Sequence, residues 1–241
     1  GYTGADTLST TDNDSITAAE FLWKFLYVNI SVTRTDELKN SGDSAKVNLV
    51  KSKVKIAEKT MANLIGTGLY SNGSDAKSIV GLRDIIATDQ TVGGIDQSAN
   101  SWWQGQVDTT TTTLTLSTMQ TQFNAASVDS EIPGVILTTR SIFNTYYSLL
   151  QPQQRFVDTE TAKGGFSSLM FNGKPIIADS HCPASNMFMV NEDAVKLVVH
   201  EKEDFRFEDF QKPVNQNVQV AKIYFAGAMT SDNNRLNAAL T

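Results

Sequence analysis

Between residues 43 and 69 the chain reads DSAKVNLVKSKVKIAEKTMANLIGTGL, and its apolar positions recur at alternating steps of three and four. Val47, Val50, Val54, Ala57, Met61 and Leu64 therefore share one face of a long α-helix. Asp43 and Ser44 offer acceptors to its first free amides, while Gly66, Gly68 and the Asn72-Gly73 pair supply a stop. About 25 residues at about 1.5 Å each make a rod near 40 Å long, two to three times the mean helix. Leu49 and Ile56 sit nearly opposite the main stripe, so two sides of this helix want burial. Lys51, Lys55 and Lys59 follow one another at i,i+4, where like charges mildly repel on an isolated helix. A second layer, or a second copy of the protein with acids facing those lysines, answers both features. The plainer account is a two-faced core helix with a solvated lysine edge.

Ahead of the helix, residues 21–34 (FLWKFLYVNISVTR) are dense in aromatic and β-branched side chains and free of Gly and Pro. The stretch predicts one long strand of about 40 Å at roughly 3.3 Å per residue. Phe21, Trp23, Phe25 and Tyr27 line one face, and Leu22, Leu26, Val28, Ile30 and Val32 the other. Such a strand without a partner is an aggregation hazard. Residues 1–20 have loop composition, rich in Thr, Asp, Ser and Gly, and could not pair with all of it. The partner must come from upstream sequence, from the distant C-terminal half or from another subunit.

Residues 70–80 read as a turn-rich bridge, and 81–107 mix a short apolar run with loop. Trp102 and Trp103 stand side by side; at strand spacing they point to opposite faces, so at least one packs outside the local core. Asp108 and five threonines lead into a helix over roughly 114–126, on which Leu116, Met119 and Phe123 share a face. GVILTT (134–139) is a short strand apolar on both faces, and RSIFNTYYSLLQ (140–151) a second helix that Pro152 ends. Strands follow at 175–179, 187–191, 194–201, 204–210 and 217–229, and the tail SDNNRLNAALT reads as polar. Helix–strand–helix–strand and then a run of strands predicts α+β, with a helix-flanked mixed sheet.

Composition narrows the possibilities. The chain has 241 residues, is 40% hydrophobic and 19% charged, and carries a net charge of −6. No window holds an apolar run long enough to cross a bilayer, so the expectation is no membrane partner. The acidic balance argues against a surface built to grip nucleic acid, since that must neutralise phosphates, but not against a shell that merely encloses DNA. Cys182 is the single cysteine and cannot form an internal disulfide. The chain starts at Gly1 with no methionine and no signal-like segment, as if cut upstream.

Candidate chemistry is sparse. His181 and Cys182 are adjacent, and no second Cys or His lies at ligand spacing, so no metal site is expected. Asp179, Ser180 and His181 contain the letters of a triad, but neighbours in sequence cannot take up its order, and no nucleophile elbow surrounds Ser180. Thr91–Gly94 lacks the Lys-Ser/Thr pair of a phosphate loop. Glu201/Glu203 and Glu208/Asp209 read as solvent-facing or interfacial charges. No catalytic residue and no cofactor is nominated. The features lie in surfaces instead.

Taken together, the aromatic strand, the lead-in DELKNSGDSAKV, the long helix, GLRDII, TVGGIDQSANSWWQGQV, FNGKPIIADSHCP, MFMVN and NNRLNAAL occur in a particular order. In that order and spacing the chain resembles the major capsid proteins of tailed bacteriophages, the Hong Kong-type capsid fold shared with encapsulin shells. The resemblance implies an extended loop at residues 1–34, its outgoing strand lying upstream. It further implies a peripheral domain at 35–81 and 201–228, with the long helix as spine beside a β-sheet. An axial domain would take 82–200 and 229–241. It implies a structural subunit, not an enzyme, that joins identical copies as hexamers and pentamers of an icosahedral shell around a phage genome. The alternative is an encapsulin-like compartment loaded with cargo, and a ligand-binding or catalytic domain is the third reading. A scaffolding protein and a maturation protease are further partners the resemblance admits, with the virion as location and the host cytoplasm as site of assembly. Sequence-specific nucleic-acid binding is not implied. The residues expected at subunit contacts are Phe21, Trp23, Phe25 and Tyr27 of the strand, Lys51, Lys55 and Lys59 of the helix, and Trp102 and Trp103.

Overall fold

A computed structural model describes residues 17–40, 43–110, 113–154, 169–214 and 216–241. Most of the loop expected at 1–20 lies outside these residues, as do the side chains of Asp43, Ser44 and Val47. In chain order the elements are β1 (Lys24–Thr33), α1 (Arg34–Lys39), α2 (Asp43–Leu69), α3 (Leu82–Ile85), β2 (Thr91–Val92), β3 (Ile95–Asp96), β4 (Gln106–Asp108), α4 (Leu116–Ala126) and β5 (Val135–Thr138). There follow α5 (Arg140–Gln154), β6 (Leu169–Phe171), β7 (Lys174–Ala178), β8 (Met187–Val190), β9 (Val195–Val199), β10 (Arg206–Gln211), β11 (Val218–Ser231) and β12 (Ala238–Leu240). Short 3-10 turns occur at Ser101–Trp103, Glu201–Glu203 and Asn234–Leu236. The result is α+β.

The first sheet is organised on β11. Its one edge pairs antiparallel with β1 from Val218 to Gly227, and its other edge pairs with β10 and then with β9. The long aromatic strand thus takes its partner from the C-terminal half of its own chain. Hydrogen bonding to β11 along its whole length makes β1, assigned above with the extended loop, an integral strand of this sheet. Its alternation is period two: Leu26, Val28, Ile30 and Val32 turn inward, while Phe25, Tyr27, Asn29 and Ser31 turn out.

Helix α2 covers the inward face. Ala57, Met61 and Ile65 are buried against Ile30, Ala221, Ile223 and Phe225 in one continuous core. The buried stripe therefore runs through Ile65 and Gly68 and not through Leu64, which is exposed. A straight helix advances about 100° per residue, so the 4-4-3 steps from Ala57 through Met61 and Ile65 to Gly68 hold one line where a strict heptad drifts away. Ile56, expected to want burial, is 63% exposed. Gly66 and Gly68 do not stop the helix but lie in its last turns, where their bare Cα atoms admit close neighbours. A Cβ on Gly66 would lie 2.9 Å from the His181 ring.

The second sheet has six strands in the order β4-β12-β8-β5-β7-β6. It is mixed, because β12/β4 and β5/β7 are parallel and the other pairs antiparallel. Along β8 the faces alternate. Phe188 and Val190 join the core beneath α2, while Met187 and Met189 join a second core against α4 and α5. Thr115 starts α4 through a reciprocal capping pair with Thr118, one residue inside the expected boundary. Helix α5 continues through Pro152 to Gln154, since a proline forfeits one amide bond but keeps a helical φ. The tail is not a polar end: Ala238, Ala239 and Leu240 are buried between β4 and β8. Two Gly-containing turns close hairpins with positive φ, Gly93-Gly94 between β2 and β3 and Asn172-Gly173 between β6 and β7.

Met61 is fully buried, so Met61→Ala should lower the free energy of unfolding by about 2–5 kcal/mol in urea titration. Ile56→Ala on the opposite side of the same helix should change it by less than about 0.5 kcal/mol.

Candidate assembly surfaces

Three surfaces carry the residues expected at contacts between subunits. The first is the outer face and free edge of β1. Phe25 is 71% and Tyr27 64% exposed, and Leu22 beside them is exposed as well. Tyr27 faces Tyr224 across the β1/β11 ladder. The Arg206 guanidinium lies 4.7 Å from the centre of the Tyr224 ring, and the Tyr224 hydroxyl donates to Glu208 at 3.0 Å. An aromatic strip thus runs into a charged, aromatic-backed patch on one side of the sheet. Between the β1 edge and the end of α2, Phe25, Tyr27 and Leu64 border a shallow groove of about 270 Å³. Among the described residues no strand pairs with the outer edge of β1. Trp23 is more committed to its own chain, meeting His200 edge-on at 5.4 Å. Phe21 is half-buried and packs on the α2 core.

The second surface is the lysine edge of α2. Lys51, Lys55 and Lys59 are exposed, and none forms an ion pair among the described residues. Lys53, on the opposite side, is tied to its own chain through Asp36 at 3.4 Å and the Ser31 carbonyl at 2.8 Å.

The third is the tryptophan pair. Both residues sit in a 3-10 turn and not on a strand, and they still part ways. Trp103 is buried and donates its indole N–H to the Val92 carbonyl at 3.0 Å. It belongs to the core of its own chain and offers no contact surface. Trp102 is 51% exposed. The exposure of Leu22, Leu64 and Ile56 was not legible locally, because each lies within an apolar run whose burial is decided by distant segments.

The Asp179–His181 turn is no triad, and its geometry carries a different role. Asp179 and His181 do bond: one carboxylate oxygen accepts from the His181 amide at 2.9 Å and meets the ring Nδ1 at 3.0 Å. The other accepts from the Tyr70 hydroxyl at 3.0 Å. Ser180 is exposed and forms no hydrogen bond with His181 among the described residues. Burial works against the Asp179 charge, but the His181 and Tyr70 donors outweigh it and hold the carboxyl below its usual range. Burial first, and then Asp179, push the Tyr70 hydroxyl far up, and the same two causes bring the buried Cys182 thiol to about 12. Such a thiol is inert at neutral pH. The turn fastens the second sheet to the end of α2, with the His181 ring seated on Gly66. Among the described residues no three His, Cys, Asp or Glu side chains could hold a metal ion, and no helix is long and apolar enough to cross a membrane.

No protein-family profile matches the chain, and neither does any curated protein sequence. Solved structures do match. The capsid asymmetric unit of cyanophage A-1(L) superposes with a TM-score of 0.67 at 14% identity, over 90% of this chain and 76% of that one. A structure of Mycobacterium phage Bobi gives 0.60 at 14% identity, over 98% and 79%. The holo-SrpI encapsulin complex from Synechococcus elongatus gives 0.62 at 11% identity, over 91% and 73%. The chain therefore has the major capsid fold of tailed phages that encapsulins share.

Because the Asp179 carboxyl titrates below its usual range when folded, its contribution is complete above about pH 4 and lost as pH falls through the folded value. Asp179→Asn should accordingly flatten the acid side of the stability–pH curve measured by thermal melting. Tyr70→Phe should cost about 1.5–3 kcal/mol at neutral pH, the value of a hydrogen bond to a charged group.

Proposed function

We propose that this chain is a major capsid subunit that assembles with identical copies, as hexamers and pentamers, into an icosahedral shell around a phage genome. The observation that carries the reading is the pairing of this fold with an uncovered aromatic strip at Phe25 and Tyr27 on a strand whose outer edge has no partner among the described residues. Two large apolar side chains left in water forgo about 1.5–3 kcal/mol each, which a neighbouring subunit recovers on contact. Lys51, Lys55 and Lys59 meet acids of a neighbour and set register more than affinity. Trp23, Phe21 and Trp102 border the same contacts.

In this reading α1, α2, β10 and most of β11 make up the peripheral domain of segments 35–81 and 201–228, β1 joins it in the sheet, and β9 reaches the same sheet from the axial domain. Segments 82–200 and 229–241 form the axial domain, and the extended loop precedes β1. The subunit is structural and works without catalytic residues or a cofactor. It is assembled in the host cytoplasm and ends in the virion. The encapsulin match gives a second reading, a compartment holding protein cargo.

Electron microscopy of particles formed by the full-length protein tests the proposal: uniform closed shells with DNA inside support a capsid, and a packaged protein supports the compartment. A protein that stays monomeric at assembly concentrations refutes both. Phe25→Asp with Tyr27→Asp should abolish particles while leaving the unfolding midpoint of the subunit within a few degrees of wild type. Exchanging Lys51, Lys55 and Lys59 together for Glu should also prevent closure, and unchanged particles would remove the proposed lysine–acid pairing.

A further inference from the structure

The turn linking α2 to α3 covers a carboxyl group that has no business being charged. Asp84 of α3 is only 4% exposed, and its Oδ1 is shut from solvent with no hydrogen-bond partner. The lid over it is Gly73, whose φ is 68° and on which a Cβ would come within 3.0 Å of both carboxyl oxygens. Beside it lies a cavity of about 350 Å³ whose wall includes Lys24, Asp75, Asp84 and Asp89. These and Arg83 are the charged groups around it, and the balance is three acids against two bases. Neither base forms an ion pair with the buried carboxyl among the described residues. Lys24 is spent on the Ala76 carbonyl, to which its Nζ donates at 2.7 Å, and Arg83 is exposed. Asp75 is occupied by its own turn, its carboxylate accepting from the Lys77 amide at 2.9 Å and its carbonyl from the Ser78 amide at 3.0 Å.

We propose that Asp84 and the turn over it form a pH-operated latch on the first strand: closed while the carboxyl is protonated and opened by its ionisation, with Lys24 passing the change to β1. A neutral carboxyl can remain under Gly73 at modest cost, whereas a buried carboxylate with the Gly81 amide alone against its burial and Oδ1 unpartnered must regain water. The least costly way to admit water is to lift the irregular turn, which no sheet or helix ladder holds in place. That turn carries Ala76, the anchor of Lys24, and Lys24 is the first residue of β1, adjoining Phe25. Opening therefore releases the end of the strand that bears the aromatic strip. The direction follows from the environment. Burial pushes the Asp84 carboxyl up to about 6, against the Gly81 amide and the Arg83 charge, so the closed form is favoured at low pH and loses that preference as pH rises through this value.

Hydrogen-exchange mass spectrometry of the purified chain tests the latch, with rates corrected for intrinsic exchange. Peptides covering 71–81 and 24–28 should lose protection on the order of tenfold between about pH 5 and about pH 7.5 in the wild type. Asp84→Asn, a neutral isostere, should show the same protection at both values, and Asp75→Asn should keep the wild-type response. Loss of protection in Asp84→Asn equal to that of the wild type, or no loss in the wild type, would overturn the proposal. Should Asp84→Asn fail to fold, the carboxyl titration of aspartate-labelled wild type decides by NMR. A midpoint near 6 for Asp84 supports the latch, and one below about 4.5 sinks it.

Discussion

The packing of α2 across the inner face of the first sheet is the contact on which the rest depends. Met61 and Ile65 of the helix, Ile30 of β1, and Ile223 and Phe225 of β11 belong to one core, and Phe188 and Val190 of the second sheet belong to the same one. The first and second sheets are thus not separately cored units joined by a linker. Their relative placement is set by close-packed side chains, which resist gradual deformation. The Tyr70–Asp179–His181 cluster adds directional bonds at the same junction, with Gly66 leaving space for the ring.

In the proposed shell, rigidity of this kind lets a subunit meet several copies of itself in repeatable geometry. Closed shells require self-complementary surfaces held at fixed angles, and a scaffold with one shared core provides them. The surfaces left over divide by chemistry. Phe25 and Tyr27 offer apolar area and the lysine edge of α2 offers charge, which in the proposed assembly supply affinity and register respectively. The second sheet is buried on both faces along β8, under α2 on one side and under α4 and α5 on the other, and its uncovered apolar area lies at Met170 of β6 and Ile177 of β7.

Much of this was legible in the residues. The 27-residue helix begins at Asp43 and ends at Leu69, where its periodicity and flanking turns place it. The strands from 175 to 229 lie where alternating or continuous apolar runs occur, because strand period is written into each short window. Other features were not. Leu64 and Ile65 are adjacent apolar residues, and the choice between them depends on the angle at which α2 crosses a sheet built from β1 and from strands more than a hundred positions away. The tail NAAL is too short and small-sided to announce a strand, and only the slot between β4 and β8 makes it one. The buried carboxyl of Asp84 left no trace in the sequence, since an aspartate in the first turn of a helix is ordinarily solvated.

What the sequence determined by itself was the set of elements and the excess of apolar surface in the aromatic strand. Period and capping are local properties, readable within a few residues. What the tertiary structure decided was which side of that strand is covered. The even-numbered residues found α2, and β11 took one edge, leaving Phe25, Tyr27 and the other edge free among the described residues. Burial is a relation between segments far apart in the chain, and no window of sequence contains both of its partners.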